Sequence, residues 1–230
     1  MSLKSVVTGL LLTLAFTSIA NGSDYKSLDN CNPVIVFGPV SQQGRDLNRA
    51  PSVLVVFREM ELVSLQEKRD LNVNKYRDLE LDFKDTLKLF RSKVISKAEF
   101  LSQEFELEKA RLESQVSEHQ LNKTLVRLEY NQKASELSVD DDINEFREEY
   151  SKKYWRIYSK EFSSQLALLR LSKQYIEDRI GRLGVLKKKE FVTRSQMDRL
   201  QRRSRDLSIQ IKSVQEKRNI VDRSGCSIHS

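Results

Sequence analysis

The chain has 230 residues, 32% of them charged, and a formal net charge of +7. Glycine and proline number only 7 and 3, so the sequence offers little turn material for a sheet protein. Charged residues and leucine are abundant and apolar residues recur with a regular period, which predicts long helices and excludes a disordered chain.

The start of the chain has the features of a secretory leader. Lys4 gives a positive start, the run at 6–15 is almost wholly apolar, and small residues follow it, so we expect cleavage before Asn21 or Ser23. An uncleaved anchor is the weaker alternative, because a membrane-spanning helix needs about 20 apolar residues. The sequence therefore predicts a signal peptide at 1–20, export to the periplasm or secretion, and no membrane span after its removal.

The segment at 21–50 is punctuated by glycine and proline, and it is predicted to be irregular. Its apolar run at 34–37 is consistent with either one short strand or a flap over the end of the helices. The first long helix is predicted to begin directly after this segment, because Pro51 suits a first helical turn.

The two cysteines, Cys31 and Cys226, lie before the first and after the last predicted helix. An even number of cysteines in an exported chain favours a disulfide between them. Two free or intermolecular thiols are the alternative.

The periodicity predicts four long helices and a tail at 223–230. In the first helix the apolar stripe weakens between Lys68 and Asn74, which indicates a bend or a break. The last helix has heptad spacing with two polar interruptions, which is typical of a coiled-coil seam. Its seam positions are Met197, Leu200, Ser204, Leu207, Ile211, Val214, Arg218 and Val221. The predicted helices span about 52–91, 97–137, 142–188 and 194–222.

One stretch occurs twice in the same register, each time between two predicted helices. Ser96-x-x-Glu99 and Thr193-x-x-Gln196 both match the capping box, in which two side chains satisfy free N–H groups at a helix start. Each stretch therefore predicts the tip of a helical hairpin. The positions of a hydrophobic staple are also filled in both stretches, by Ile95 with Phe100 and by Val192 with Met197.

The predicted fold class is all-α, with long antiparallel coiled-coil hairpins in tandem that form an elongated four-helix bundle. Hairpin 1 spans 51–137 with its tip at 91–96, and hairpin 2 spans 138–222 with its tip at 188–193. Two splayed hairpins, or one broken rod, are the alternatives.

The sequence offers little for catalysis, and no enzyme, cofactor or metal ion is predicted. Its two histidines, His119 and His229, lack neighbouring ligands, and Cys226-x-x-His229 is a single pair where a zinc site needs two. Neither a phosphate-binding loop nor a nucleophile elbow is present. The densest basic cluster, between Arg199 and Arg205, has no interleaved aromatic residues to stack bases, so nucleic acid is not an expected partner.

Arg182, Leu186 and Thr193 have the spacing of an arginine, a leucine and a serine that mark the hairpin tip of periplasmic adaptor proteins, with threonine in place of serine. This stretch therefore resembles the membrane-fusion proteins of efflux pumps and type I secretion systems. The resemblance implies a tip that docks on the periplasmic end of an outer-membrane channel.

The first stretch resembles the same family less closely. Leu89 and Ser96 match the leucine and the serine, but Asp85 stands where the family has its arginine. The family also carries lipoyl and β-barrel domains that have no counterpart here. The resemblance thus covers the two tips and the helices beside them.

The leading hypothesis is an exported coiled-coil interaction protein with a protein partner, such as an outer-membrane channel or another envelope component. Self-association is left open. The alternatives are a holdase-type periplasmic chaperone, which needs exposed apolar surface between its hairpins, and a passive structural spacer. The candidate partner-binding residues are Arg182, Leu186 and Thr193 in the second tip, and Leu89, Lys93, Ser96 and Lys97 in the first.

Overall fold

The computed structural model describes residue 37 and the ranges 53–136, 143–187 and 193–224. The all-α class is confirmed, and each helix begins and ends within two residues of its predicted bounds. The first helix is continuous through 68–74, so the predicted break is absent. The four helices are α1 (Val53–Arg91), α2 (Lys97–Glu136), α3 (Ile143–Lys187) and α4 (Arg194–Ser224).

Extensive contacts join each helix to the next in the chain, α1 with α2, α2 with α3, and α3 with α4. The contacting residues run in opposite directions along each pair. Within the described ranges, α1 and α4 share no comparably extensive contact. The helices therefore form a row in chain order. The side-chain pairs that define it include Lys68 with Gln120, Lys75 with Glu113, Gln120 with Glu161, Ser102 with Tyr175, Ser159 with Asp222 and Glu177 with Ser204.

Heptad spacing explains how the two outer helices pack. Every predicted seam position of α4 is buried or half-buried. Along α1 a second seam of the same spacing is half-buried, and polar residues interrupt it at Arg69, Asn72 and Thr86. Spacing of three and four keeps such residues on one helix face, so each outer helix has a single packed seam. The α1 seam contains Leu62, Leu65, Arg69, Asn72, Tyr76, Leu79, Phe83, Thr86 and Phe90.

The core lies chiefly between α2 and α3. Between residues 60 and 91 no side chain of α1 is fully buried, whereas the two middle helices carry most of the buried apolar side chains. The middle helices pack on two neighbours each, which accounts for this difference. Their buried apolar residues are Ala110, Leu112, Leu121, Val126, Tyr130, Ala134, Tyr150, Phe162, Leu166 and Ile176.

An aromatic cluster fills the end of the core that lies away from the tips. Phe37 is buried there and stacks on Tyr130 at 4.2 Å between ring centroids. It also meets the ring of Tyr154 edge-on at 5.8 Å. Arg147 Nη2 donates a hydrogen bond to the carbonyl oxygen of Phe37 at 3.0 Å. Phe37 lies in a bend and packs on the helices, as the flap alternative expects, while the rest of 34–37 and both cysteines lie outside the described residues.

A buried polar network joins the two middle helices, α2 and α3, near the midpoint of their length. The carboxylate of Glu161, a residue 4% exposed, accepts hydrogen bonds from Lys123 Nζ at 2.6 Å and Gln120 Nε2 at 3.2 Å. Gln165 Nε2 adds a third at 3.0 Å, and Lys68 Nζ of α1 donates to Gln120 Oε1 at 3.0 Å. A buried charge is costly unless it is paired and hydrogen-bonded, so this network favours one register of α2 against α3.

We predict that Lys123→Met destabilises the protein by about 3 kcal/mol, because it leaves the Glu161 carboxylate buried without its ammonium partner. Replacing both residues with methionine should recover most of that loss, since no unpaired charge remains. Urea unfolding followed by circular dichroism measures both free energies.

The matched control is Lys88→Met, which removes the exposed ammonium that pairs with Asp85 at 2.8 Å on the surface of α1. An exposed pair contributes little to stability, so this change should be nearly silent. Equal losses for Lys123→Met and Lys88→Met would contradict the role given to Glu161.

Candidate docking tips

The first tip reverses the chain between α1 and α2 with a helix-terminating motif. The N–H of Val94 donates to the carbonyl of Leu89 at 2.9 Å, and the N–H of Lys93 donates to that of Phe90 at 3.1 Å. These are the two bonds of a Schellman motif, whose C′ residue is left-handed and usually glycine. Here the left-handed residue is Lys93, with φ of 59°.

Both predicted capping boxes are confirmed. At the first tip, Ser96 Oγ accepts from the N–H of Glu99 at 3.2 Å, and Glu99 Oε2 accepts from the N–H of Ser96 at 2.8 Å. At the second, Thr193 Oγ1 accepts from the N–H of Gln196 at 3.3 Å, and Gln196 Oε1 accepts from the N–H of Thr193 at 3.4 Å. Ser96 and Thr193 thus begin their helices through their side-chain oxygens.

The backbone N–H of Ser96, and then its hydroxyl, lower the pKa of Glu99 by hydrogen bonding to its charged carboxylate. The second box contains an amide instead of an acid at the equivalent position. The two boxes therefore have the same geometry, but only the first contains a group that titrates.

The surface of the first tip combines an apolar knob with positive charge. Val94 is 68% exposed, and Arg91, Lys93 and Lys97 around it are all exposed. Leu89 is also partly exposed, at 42%. Such a surface suits a partner that offers an apolar recess bordered by carboxylates or by the carbonyl ends of helices.

Phe100 turns inward at the first tip instead of joining this surface. Its ring stacks on Phe90 at 4.3 Å and approaches Phe83 at 5.5 Å between centroids. It therefore closes α2 onto α1 through two phenylalanines of α1, whereas the predicted staple contact of Phe100 with Ile95 stays a prediction.

At the second tip, the structure describes the last turns of α3 and the start of α4. Arg182 is exposed in the last turns of α3, Val185 beside it is 63% exposed, and Thr193 is the exposed cap of α4. The loop at 188–192 and the side chain of Leu186 lie outside the described residues. An exposed arginine therefore stands next to an exposed apolar side chain here, as at the first tip.

The row of helices brings the two tips to the same end of the molecule. Near the start of α2, Ser102 Oγ lies 3.3 Å from the hydroxyl of Tyr175, which is close to the end of α3. Phe105 stacks on the same ring at 4.0 Å. The start of α2 and the C-terminal part of α3 therefore lie at the same end of the described helices.

Sequence analysis missed two features of these tips. It did not identify Val94 or Val185 as exposed apolar positions, and it did not expect a left-handed lysine. One signal was available, because the first tip has no glycine or asparagine to take the left-handed position, so another residue had to adopt it.

His119 is half-buried on α2, and burial lowers its pKa.

Comparisons with known proteins leave the tips to be interpreted from their own chemistry. No protein-family model, curated protein or solved structure matches this chain. In the described helices, none is both long and apolar enough to cross a membrane. Across the same residues, histidine, cysteine, aspartate and glutamate side chains form no group of three that could hold a metal ion.

We predict that Lys93→Gly stabilises the protein by about 1 kcal/mol, because glycine adopts the left-handed conformation without the steric cost that a lysine side chain carries. Urea unfolding measures the gain. Arg91→Gly, in the helical last turn of α1, is the control and should destabilise by a similar amount. Loss of stability in both variants would contradict the strain assigned to Lys93.

We also predict that the first capping box depends on pH and the second does not. The depressed pKa of Glu99 means that its ionised form stabilises the fold above the unfolded pKa of about 4.5, and that this contribution is lost as pH falls through the folded value. Glu99→Gln should therefore lower Tm at neutral pH, by an amount that shrinks on acidification. Thr193→Ala should lower the free energy of unfolding by about 1 kcal/mol at every pH where the protein is folded. A pH-independent effect of Glu99→Gln would contradict the assignment.

Proposed function

We propose that this protein is an exported coiled-coil interaction protein whose tips dock on another protein of the cell envelope. Its tips resemble the adaptor hairpin that docks on an outer-membrane channel in transport or secretion. The partner we expect is therefore a channel of that class, or another envelope component with helix ends exposed to the periplasm. No catalytic step forms part of this function.

The observation that carries the proposal is the surface of the first tip. Val94 is 68% exposed at a turn whose Lys93 is held in the left-handed region at φ 59°. Glycine would relieve the strain, so the Schellman motif requires the left-handed conformation but not the lysine side chain. Strained residues cluster at binding and switch sites, and this one lies beside an exposed apolar knob.

We further propose that α1 with α2, and α3 with α4, act as two antiparallel coiled-coil hairpins in tandem, extended along their common length. The opposite direction of the cross-helix contacts supports this arrangement, as do the heptad seams of α1 and α4. A helix of 40 residues is about 60 Å long, so the tips would stand well away from the aromatic cluster at the other end.

The contacts between α2 and α3 weigh against the holdase alternative. A client-binding cavity between two hairpins needs apolar surface left open there, whereas Leu121, Tyr130 and Leu166 in that region are buried. A passive spacer would need no exposed Val94 or Val185. Tip docking is the one function among the three that uses these exposed side chains.

The proposal predicts that Lys93→Asp combined with Arg182→Asp abolishes binding of one or two envelope proteins in a pull-down from envelope extracts. Both residues are exposed, one at each tip, so the fold should tolerate the changes. Replacing a cation with a carboxylate at a complementary interface introduces like-charge repulsion with an acidic partner surface.

The matched control is Arg127→Asp combined with Arg156→Asp, which makes the same charge change at exposed positions far from the tips. This control should capture the same proteins as the unaltered chain. An empty bound set with the unaltered protein would overturn tip docking in favour of a spacer. A broad set unchanged by the tip variant would overturn it in favour of a chaperone.

A further inference from the structure

The helix at one edge of the row, α1, has an apolar face that no part of the described chain covers. Its packed seam against α2 follows the positions from Leu62 to Phe90, and Leu71 and Leu81 lie on the opposite side of the helix. Leu71 is 63% exposed and Leu81 61%. Met60 and Val63 are each 61% exposed and belong to the same outward side.

The helix at the other edge, α4, repeats this pattern. Its seam against α3 uses the positions from Met197 to Val221, and Ile209 and Ile220 lie opposite that seam. Ile209 is 68% exposed and Ile220 56%. The row therefore ends on both sides in a helix with one packed seam and, on the opposite side, exposed apolar side chains set among charged ones.

These two outer faces cannot cover each other within one molecule. The seam of α1 is turned toward α2 and the seam of α4 toward α3, so the faces opposite the seams point away from the row in opposite directions. Closing the row into a bundle would bring other sides of α1 and α4 together. Within the described ranges, no other helix covers either outer face, so each is available to a separate molecule.

The exposed apolar side chains of the two faces have similar spacing along their helices and lie at similar heights along the helix axes. Leu71 and Leu81 are ten residues apart and Ile209 and Ile220 eleven, which is about 15 and 16 Å along a helix. Hydrogen bonds connect Lys68 through Gln120 to Glu161 across the row. Ser159, two residues from Glu161, bonds to Asp222 on α4. Ile220 is therefore nearly level with Lys68, and Leu71 is less than one helical turn from that level.

Charges on the two faces are complementary when α1 of one copy is placed beside α4 of another at this height. When Leu81 is set opposite Ile209, Asp78 falls opposite Lys212 and Glu67 opposite Arg223. All of these charged side chains are exposed. Further opposite charges meet at the pairs Asp85 with Arg205 and Lys84 with Asp206.

Two pairs of like charges, Lys88 with Arg202 and Arg91 with Arg199, also meet in this alignment. Lys88 Nζ is already bound to Asp85 Oδ1 at 2.8 Å, which offsets part of the repulsion. By contrast, packing α4 against α4 of another molecule would bring the cluster of Arg199, Arg202, Arg203 and Arg205 near its own copy. Charge therefore favours contact between unlike edges over contact between two α4 edges.

We propose that a second copy of this chain docks the outer face of its α4 on the outer face of α1 of the first copy, in the same orientation. The contact is heterologous, because each molecule contributes a different edge. Each added molecule leaves one α1 edge and one α4 edge free, so lateral addition continues and aligns the tips of successive copies. The proposal is independent of tip docking, since it uses no tip residue.

Sedimentation equilibrium on the purified protein tests this proposal. The unaltered protein should show concentration-dependent masses beyond a dimer. Leu81→Glu, which blocks the α1 edge, and Ile209→Glu, which blocks the α4 edge, should each sediment as a monomer. An equimolar mixture of these two variants should give a 1:1 dimer and nothing larger, because each variant retains one intact edge and the two intact edges are complementary.

A charge exchange provides a second measurement. Asp78→Lys and Lys212→Asp should each weaken self-association by about tenfold in Kd, and the chain that carries both changes should recover it. Recovery in the double variant cannot come from misfolding. The control for Leu81→Glu and Ile209→Glu is Val94→Glu. It places a glutamate at the first tip, where the apolar side chain is equally exposed, and should leave self-association unchanged.

Three results would overturn the proposal. A monomer at every concentration would show that the edges do not associate. Self-association of the Ile209→Glu variant alone would show contact between two like edges. Failure of the mixed variants to form a dimer, with both folded by circular dichroism, would show that α1 and α4 are not partners.

Discussion

The packing of α2 against α3 determines the shape of this molecule, and the Glu161 carboxylate lies at the centre of that interface. It accepts hydrogen bonds from Lys123, Gln120 and Gln165 while the residue is only 4% exposed. A slip of either helix would separate this buried charge from Lys123 and Gln120, at a cost of several kcal/mol. The polar network therefore favours a single register of α2 against α3.

The row of helices follows from how the apolar surface is distributed. The middle helices carry apolar residues on two sides and are covered on both by neighbours, whereas α1 and α4 each have one packed seam. This arrangement leaves two edge helices and places the start of α2 and the end of α3 at one end of the row. The two proposals, tip docking and lateral association, therefore concern separate surfaces of the same row, one at its end and the other along its sides.

Local sequence signals predicted much of this structure, because they report interactions within a few residues. The helix bounds follow the capping boxes at Ser96 and Thr193, whose bonds are made within the first turn of each helix. The α4 seam was predicted residue by residue, because a heptad fixes which side of a helix is apolar. The positions of Lys93 in the left-handed region and of Phe37 against Tyr130 were not predicted. The first depends on how the loop closes, and the second joins residues far apart in the chain.

The sequence by itself determined that the protein is built of four long helices and where each begins and ends. Periodicity and capping are local, and few glycines or prolines compete with them. Only the tertiary structure decided which helices are neighbours, which polar residues are buried and which apolar residues remain exposed. An exposed leucine such as Leu81 and a buried one such as Leu121 look alike in the sequence. The difference between them arises only when one helix packs against two neighbours and another against one.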